Sequence, residues 1–200
     1  MPRQGDDYKL TAWGDESMRQ NANPQMYLMC ATVFDEDADE GLDGLVRAKP
    51  RAMRKLHWRD LREPEKARVV EAMAEIPQWS TVVVATPLNG ARQERGRRKA
   101  LEVLLQKLEA DGVGLLNLEN RWRQEDKSDH DMVFALQNRR LIKSIRIRHV
   151  KSDELEPRLW MLDQVLGAVG DILCGTGHPS AWAKPWKKVD EHNEIMLAPL

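Results

Sequence analysis

The order of apolar runs and amphipathic stretches constrains the fold of this chain more than any other feature of its sequence. Apolar runs, several rich in β-branched residues, predict five strands, at 8–16, 26–34, 81–86, 113–119 and 144–150. Amphipathic stretches predict four helices, at 64–76, 91–110, 128–140 and 157–173. Three strands in succession favour an antiparallel meander, and the later alternation of helix and strand favours parallel additions. The chain is therefore predicted to be α/β, with helices on a mixed sheet.

This order of elements is that of the ribonuclease H fold, with an extra helix between the second and third strands. We predict a five-stranded sheet within one domain over 1–174, since 200 residues suit a single domain with a real core. The acidic segment 35–41 is interpreted as a loop, and 42–62 as irregular. The stretch 175–200, rich in proline and tryptophan, is predicted to be an irregular tail that packs on the domain or on a second copy.

Three acidic residues stand in mostly apolar surroundings. Asp15 ends the first apolar run, Glu119 ends the fourth, and Asp163 lies within the apolar last helix. An acid in such surroundings is costly unless it is paired or binds a cation. In the predicted topology all three face one cavity, which predicts Mg²⁺ or Mn²⁺ held by carboxylate oxygens. Glu16, on the other face of its strand, is a reserve ligand. The alternative is that each of the three acids has a common structural role and binds no metal, with Glu119 paired to Arg121.

Four short motifs carry a family resemblance: Asp15-Glu-Ser17, Leu56-His-Trp-Arg59, Leu118-Glu-Asn-Arg121 and Leu159-Trp-Met-Leu-Asp163. In this order they resemble the motifs of a large bacterial family of unknown function, which is ribonuclease-H-like and often marked by an initial Asp-Glu-Ser. The resemblance spans about 8–173 and implies a metal-dependent nuclease. The chain departs from the pattern at Asn120, where serine is common, and at Gly14. Neither departure removes a carboxylate.

A histidine and several basic residues complete the predicted site. His57 is a candidate proton shuttle, because the unperturbed pKa of an imidazole lies near neutrality, while Lys55 or Arg59 is a candidate to hold a phosphate. The alternative is a structural loop in which Trp58 packs into the core. Arg121 is predicted either to bind the scissile phosphate or to neutralise nearby acids.

Two basic segments lie outside these motifs. Arg146 and Arg148 alternate with Ile147 on the last predicted strand, and such a strip follows a phosphate backbone; the alternative is an edge strand that charge protects from aggregation. A second basic segment opens the helix at 91–110. The acids at 125–131 are interpreted as further metal ligands or as charge at the start of a helix.

The bulk composition excludes several classes of protein. The formal net charge is −1, so any surface for a polyanion is local rather than global. The two cysteines are interpreted as thiols rather than a disulfide, no apolar run approaches membrane-spanning length, and no secretory signal is evident. A cytoplasmic location, nucleic acid as partner, no membrane and a possible homodimer are the resulting expectations.

Two principal functions remain open from the sequence. The first is a divalent-metal-dependent nuclease in which the three carboxylates hold the ion. The second is a non-catalytic module that binds nucleic acid or protein on the same fold, because a fold does not determine a function. A phosphatase or small-nucleotide hydrolase is a third, weaker reading. Close grouping of the three carboxyl groups favours the enzyme.

Overall fold

The computed structural model describes residues 10–88, 93–120, 123–151, 156–176 and 181–200. Its strands are β1 Leu10–Arg19, β2 Met26–Phe34, β3 Gln78–Thr86, β4 Val113–Glu119, β5 Arg146–Val150 and β6 Asn193–Pro199. Its helices are α1 Ala38–Ala48, α2 Glu63–Met73, α3 Gln93–Ala110, α4 Arg123–Asn138, α5 Pro157–Leu173 and α6 Ala183–Asp190, and a short 3₁₀ helix covers Trp58–Asp60.

The strands form one mixed sheet in the order β5-β4-β1-β2-β3-β6. The pairs β1–β2 and β2–β3 are antiparallel, as the predicted meander requires. The pairs β1–β4 and β4–β5 are parallel, as predicted for the later strands. A further parallel pair joins β3 to β6, so the sheet has six strands rather than the predicted five. The predicted ribonuclease-H-like α/β fold is otherwise confirmed.

Helices cover both faces of the sheet and enclose two apolar clusters. On one face, side chains of β2 and β3 such as Leu28 and Val84 pack with α1, α2, α5 and α6. On the other face, α3 and α4 pack on Ala12, Leu116 and Ile147. Because β1 contributes Trp13 to the first cluster and Ala12 to the second, its successive side chains alternate between the faces.

Two parts of the chain are more regular than the sequence predicted. Helix α1 lies within 35–62, where a loop and irregular chain were expected; Leu42 and Leu45 are buried on its inner face, while two glycines weaken the helical signal. The predicted irregular tail contains α6 and β6. Strand β6 forms because the free edge of β3 supplies a hydrogen-bonding partner, which local sequence does not reveal. Packing of this segment on a second copy stays a prediction.

Element ends also differ in places. Helix α4 begins at Arg123, so Ser128 lies inside the helix rather than at its start. Strand β1 runs on to Arg19, which places Asp15 within the strand and not at its end. Within the described ranges, no helix combines the length and the apolar character needed to cross a membrane.

Candidate carboxylate site

Asp15 and Glu119 stand side by side on neighbouring strands. The parallel pairing of β1 with β4 ends at Gly14 and Leu118, and the next residue on each strand is one of the two acids. Beyond that point β1 continues its pairing with β2 as far as Arg19. In-register side chains on adjacent strands point to the same face, so both carboxylates lie on the side of Trp13 and α5. The backbone N–H of Glu16 donates to Asp15 Oδ1 at 2.8 Å.

Asp163 comes to the same region from α5, which packs on β1. Its Oδ2 atom accepts a 2.7 Å hydrogen bond from the backbone N–H of Trp58, at the start of the 3₁₀ helix. Its Oδ1 atom lies 3.6 Å from Nδ1 of His57. Asp163 thus anchors the loop that carries His57.

Glu119 and Lys55 form an ion pair within the site. Lys55 Nζ donates to Glu119 Oε1 at 2.8 Å, and the two side chains are only 17% and 21% exposed. Glu119 therefore pairs with Lys55, a partner that the sequence did not indicate.

The electrostatics of Asp15 link the three acids. Burial first, and then the negative charges of Glu119 and Asp163, raise the pKa of Asp15 well above its ordinary value. The Glu16 N–H and the Lys55 ammonium act in the opposite direction. The three carboxylates are thus close enough to affect one another, and Lys55 offsets part of their mutual repulsion.

The donor chemistry fits a hard divalent cation, because all three side chains are carboxylates. The arrangement is not that of a formed metal site: in the described part of the chain, no three His, Cys, Asp or Glu side chains are placed to hold one ion. The Lys55 ammonium and the Trp58 N–H occupy carboxylate oxygens that a metal would use.

Glu16 lies on the opposite face, in a separate charged network. Its Oε2 atom accepts from Arg97 Nε at 2.7 Å, and the Arg97 guanidinium forms a two-pronged pair with Asp129, with Nη2 to Oδ2 at 2.8 Å. Burial alone lowers the pKa of Arg97, but the bonds to Asp129 and the charge of Glu16 outweigh it and raise that pKa. His149 Nε2 lies 3.0 Å from Asp129 Oδ2. The predicted role of Glu16 as a reserve metal ligand is therefore opposed by its geometry.

The remaining predicted residues fall into three groups. Arg59 is 84% exposed, and its Nε atom lies 3.8 Å from Asp60 Oδ1. Arg121 lies outside the described residues. Arg146 and Arg148 are exposed, and the register of β5 on β4 places them on the same face as Glu119, while Ile147 packs into the opposite cluster.

The buried network of Arg97 and Asp129 was missed by sequence reasoning, which placed Arg97 in the basic segment at the start of the helix and Asp129 among acids interpreted as metal ligands or as charge at a helix start. Both side chains are only 2% exposed. One signal was present: Arg97 precedes Leu101, Leu104 and Leu108 at helical spacing, so it belongs to the buried stripe of α3.

The strand order, the helical layers and the shared face of the carboxylates define a protein with a ribonuclease-H-like fold. Among solved structures, the chain is similar to an archaeal ribonuclease HII, in a structure described as the PCNA:RNase HII complex from Archaeoglobus fulgidus. The TM-score is 0.50 and the identity 11%, over 91% of this chain and 77% of the other. At 11% identity, the similarity between the two chains is evidence for a shared fold alone. No family model matches the chain. No curated protein matches it either.

Proposed function

We propose that this protein hydrolyses phosphodiester bonds in nucleic acid, using Mg²⁺ or Mn²⁺ held by Asp15, Glu119 and Asp163. The observation that carries the proposal is the in-register pairing that sets Asp15 beside Glu119, with the charge of Asp163 acting on Asp15. A carboxyl group whose pKa is raised by burial and by neighbouring carboxylates, as for Asp15, is typical of a functional site. The resemblance to the bacterial Asp-Glu-Ser family and the likeness to a ribonuclease HII fold support the same activity.

Each side chain has a distinct role in this proposal. A bound divalent ion lowers the pKa of water and stabilises negative charge on phosphate oxygens. Asp15 and Glu119 would hold it from the sheet and Asp163 from α5. His57, 3.6 Å from Asp163, is placed to move a proton to or from a leaving oxygen. Lys55 competes with any cation for Glu119, and once released it is a candidate to contact a phosphate.

The sheet itself offers a path for a substrate strand. Arg146 and Arg148 are exposed on the face that bears Glu119, one strand away from it. Cations in this position favour a phosphate backbone that runs across β5 toward the carboxylates. The alternative from the sequence is an edge strand that charge protects from aggregation. That role does not require the two arginines to lie on a particular face of the sheet.

A non-catalytic module that binds nucleic acid is the second candidate, and one observation favours it. The carboxylates already have partners from the chain itself, since Lys55 binds Glu119 and the Trp58 N–H binds Asp163. Carboxylates that are paired in this way do not need a metal to hold their positions. The arginines of β5 serve either function, so cleavage must be measured directly.

The decisive experiment measures cleavage of labelled DNA, RNA and hybrid oligonucleotides, together with free nucleotides, in Mg²⁺ and in Mn²⁺. We expect oligonucleotides to be cut, and Asp15→Asn and Asp163→Asn each to reduce the rate at least about 100-fold, because each removes a ligand charge. Circular dichroism and thermal unfolding verify that the variants fold.

The matched control is Asp60→Asn, which removes an exposed carboxylate from the neighbouring 3₁₀ helix. It should cleave like the original protein. Full activity in either Asp15→Asn or Asp163→Asn would refute the proposed site. Oligonucleotide binding without cleavage in either metal would favour the binding module, and cleavage of nucleotides alone would favour a small-molecule hydrolase.

A further inference from the structure

A basic groove runs between α3 and α4, in the helical layer on the other side of the sheet from the carboxylates. It is lined by four cationic side chains, Arg95, Arg98, Lys99 and Arg139. Three of them come from the start of α3, and Arg139 lies directly after α4, more than forty positions later in the sequence. The fold thus assembles two basic segments into one surface, here called the α3–α4 groove.

Little negative charge opposes these cations. Glu102 is the acidic residue among the described side chains that line the groove, and its carboxylate already accepts from Lys99 at 3.2 Å. The guanidinium groups of Arg95, Arg98 and Arg139 are exposed and, within the described ranges, form no ion pair. The chain as a whole has a net charge of −1, so this positive charge is a local feature. It favours an anionic ligand.

The rest of the lining indicates which kind of anion fits. Ala135 of α4 and Pro199 of β6 contribute exposed apolar surface to the groove, whereas Met132 and Leu136 are almost fully buried. The phosphates of a bound nucleic acid would lie against this apolar surface. No aromatic side chain among the described lining residues offers a surface for base stacking. An acidic peptide with apolar side chains matches both the positive charge and the apolar surface of the groove, because protein interfaces combine an apolar centre with a charged rim.

The position of the groove separates it from the proposed cleavage site. On α3, Arg97 points to the sheet and binds Glu16, which faces away from Asp15. Arg95 and Arg98 point outward from the same helix, farther still from the carboxylates. A strand of nucleic acid in the groove would have to pass around the edge of the sheet before its phosphates reached Asp15.

We propose that the α3–α4 groove docks an acidic segment of a partner protein. Carboxylates of the segment bind Arg95, Arg98 and Arg139, and an apolar side chain packs on Ala135 and Pro199. This role is independent of phosphodiester hydrolysis, because none of these residues belongs to the carboxylate site.

The test uses the full chain and fluorescence anisotropy of short labelled probes. One probe is a Glu-rich peptide with two leucines spaced four residues apart, and the second has both leucines replaced by serine. The third is a Lys-rich peptide, and the fourth is an oligo-dT of equal length. We expect the Glu-rich peptide with leucines to bind best, the serine version at least about 5-fold more weakly, and the Lys-rich peptide not at all. Binding should weaken as salt rises.

Charge reversal identifies the site. Arg98→Glu and Arg139→Glu should each weaken peptide binding at least about 10-fold, whereas Lys187→Glu, on the exposed side of α6 in the other helical layer, should leave it unchanged. Nucleic acid cleavage should be unaffected by Arg98→Glu.

Two results would overturn the proposal. The first is a peptide that does not bind, or that binds equally well to Arg98→Glu. The second is oligo-dT that binds more tightly than the peptide and is lost in Arg98→Glu, which would make the groove a surface for nucleic acid.

Discussion

Burial and neighbouring charge both oppose the ionisation of Asp15. It is half-buried, and the charges of Glu119 and Asp163 add to the cost of ionising it. The pKa of Asp15 in the folded protein therefore lies well above its value in the unfolded chain. A group of this kind contributes stability at pH values below its unfolded pKa, near 3.9, and that contribution is lost as the pH rises through the folded pKa.

Replacing Asp15 with Asn should therefore stabilise the protein at neutral pH in the presence of a chelator. Asn cannot ionise, and its Oδ1 atom can keep the hydrogen bond from the Glu16 N–H. The gain should shrink as the pH falls toward 4, where Asp15 is protonated in the original protein as well. Calorimetric melting curves at pH 4 and pH 8 measure the difference. A lower melting temperature at pH 8 for Asp15→Asn would contradict this account.

The ammonium of Lys55 offsets part of the repulsion among the three carboxylates when no metal is bound. Lys55→Met should lower the free energy of unfolding by about 1–3 kcal/mol, because Glu119 loses its partner in a largely buried position. Mn²⁺ should raise the melting temperature of Lys55→Met more than that of the original protein, since a metal then meets no competing ammonium.

The control for Lys55→Met is Lys188→Met. Lys188 lies 2.6 Å from Glu75, but both side chains are more than half exposed, so its loss should cost less than about 1 kcal/mol. Equal destabilisation by the two substitutions would mean that Lys55 does not neutralise the carboxylates.

At the scale of elements, the 3₁₀ helix is fixed to α5 by Trp58. The indole ring lies against Gly167, and its Nε1–H donates to Asp171 Oδ2 at 2.7 Å. The Trp58 backbone N–H holds Asp163. This contact sets the loop before the 3₁₀ helix, and therefore positions Lys55 and His57 over the carboxylates.

Gly167→Ala should disrupt this docking. A Cβ atom at position 167 would overlap with Cγ of Trp58, so the ring or the helix must shift, at a cost of about 1–3 kcal/mol. We expect lower stability and slower cleavage together, measured by chemical denaturation and by the oligonucleotide assay.

Gly44→Ala in α1 is the matched control for this substitution. The nearest atom to its new Cβ is Arg47 Nη2 at 3.7 Å, an ordinary contact. It should stabilise the protein by about 0.5–1 kcal/mol, because alanine is the better helix former. Equal stability of the two variants would show that Trp58 does not pack tightly on Gly167.

At the scale of the whole molecule, the last helix and strand belong to the core. Trp182 and Trp186 are 1% and 4% exposed, and the Trp182 ring meets Trp58 edge to face, with ring centroids 5.0 Å apart. Strand β6 covers the edge of β3 over seven residue pairs. The segment after Leu173 therefore supports the same 3₁₀ helix that carries the site.

A chain ending at residue 174 should lose its cooperative fold. Removal of one buried tryptophan costs about 3–5 kcal/mol, and two are removed here together with a strand, against a typical total stability of about 5–15 kcal/mol. Near-ultraviolet circular dichroism and urea unfolding measure the loss, and Leu197→Ser, at a 68% exposed position of β6, is the mild control. A cooperative transition in the shortened chain would restore the predicted boundary at 174.

The sequence was sufficient where the signal is local. Strand β4 and helix α5 have the predicted bounds, because one is a continuous apolar run and the other begins at Pro157. Helix α1 was missed because Gly41 and Gly44 weaken a pattern that only packing against α2 and α5 completes. Strand β6 was missed because its partner, β3, is about a hundred residues away in the sequence.

The same division holds for the site. By itself, the sequence determined the fold class and singled out the three carboxylates as candidates, because apolar surroundings and strand order are read along the chain. Only the tertiary structure decided which charges face one another: Lys55 with Glu119, Arg97 with Asp129 and Glu16, and Asp163 with the Trp58 N–H. These partners are separated by 32 to 105 positions, and electrostatic energy depends on distance in space, which no local pattern records.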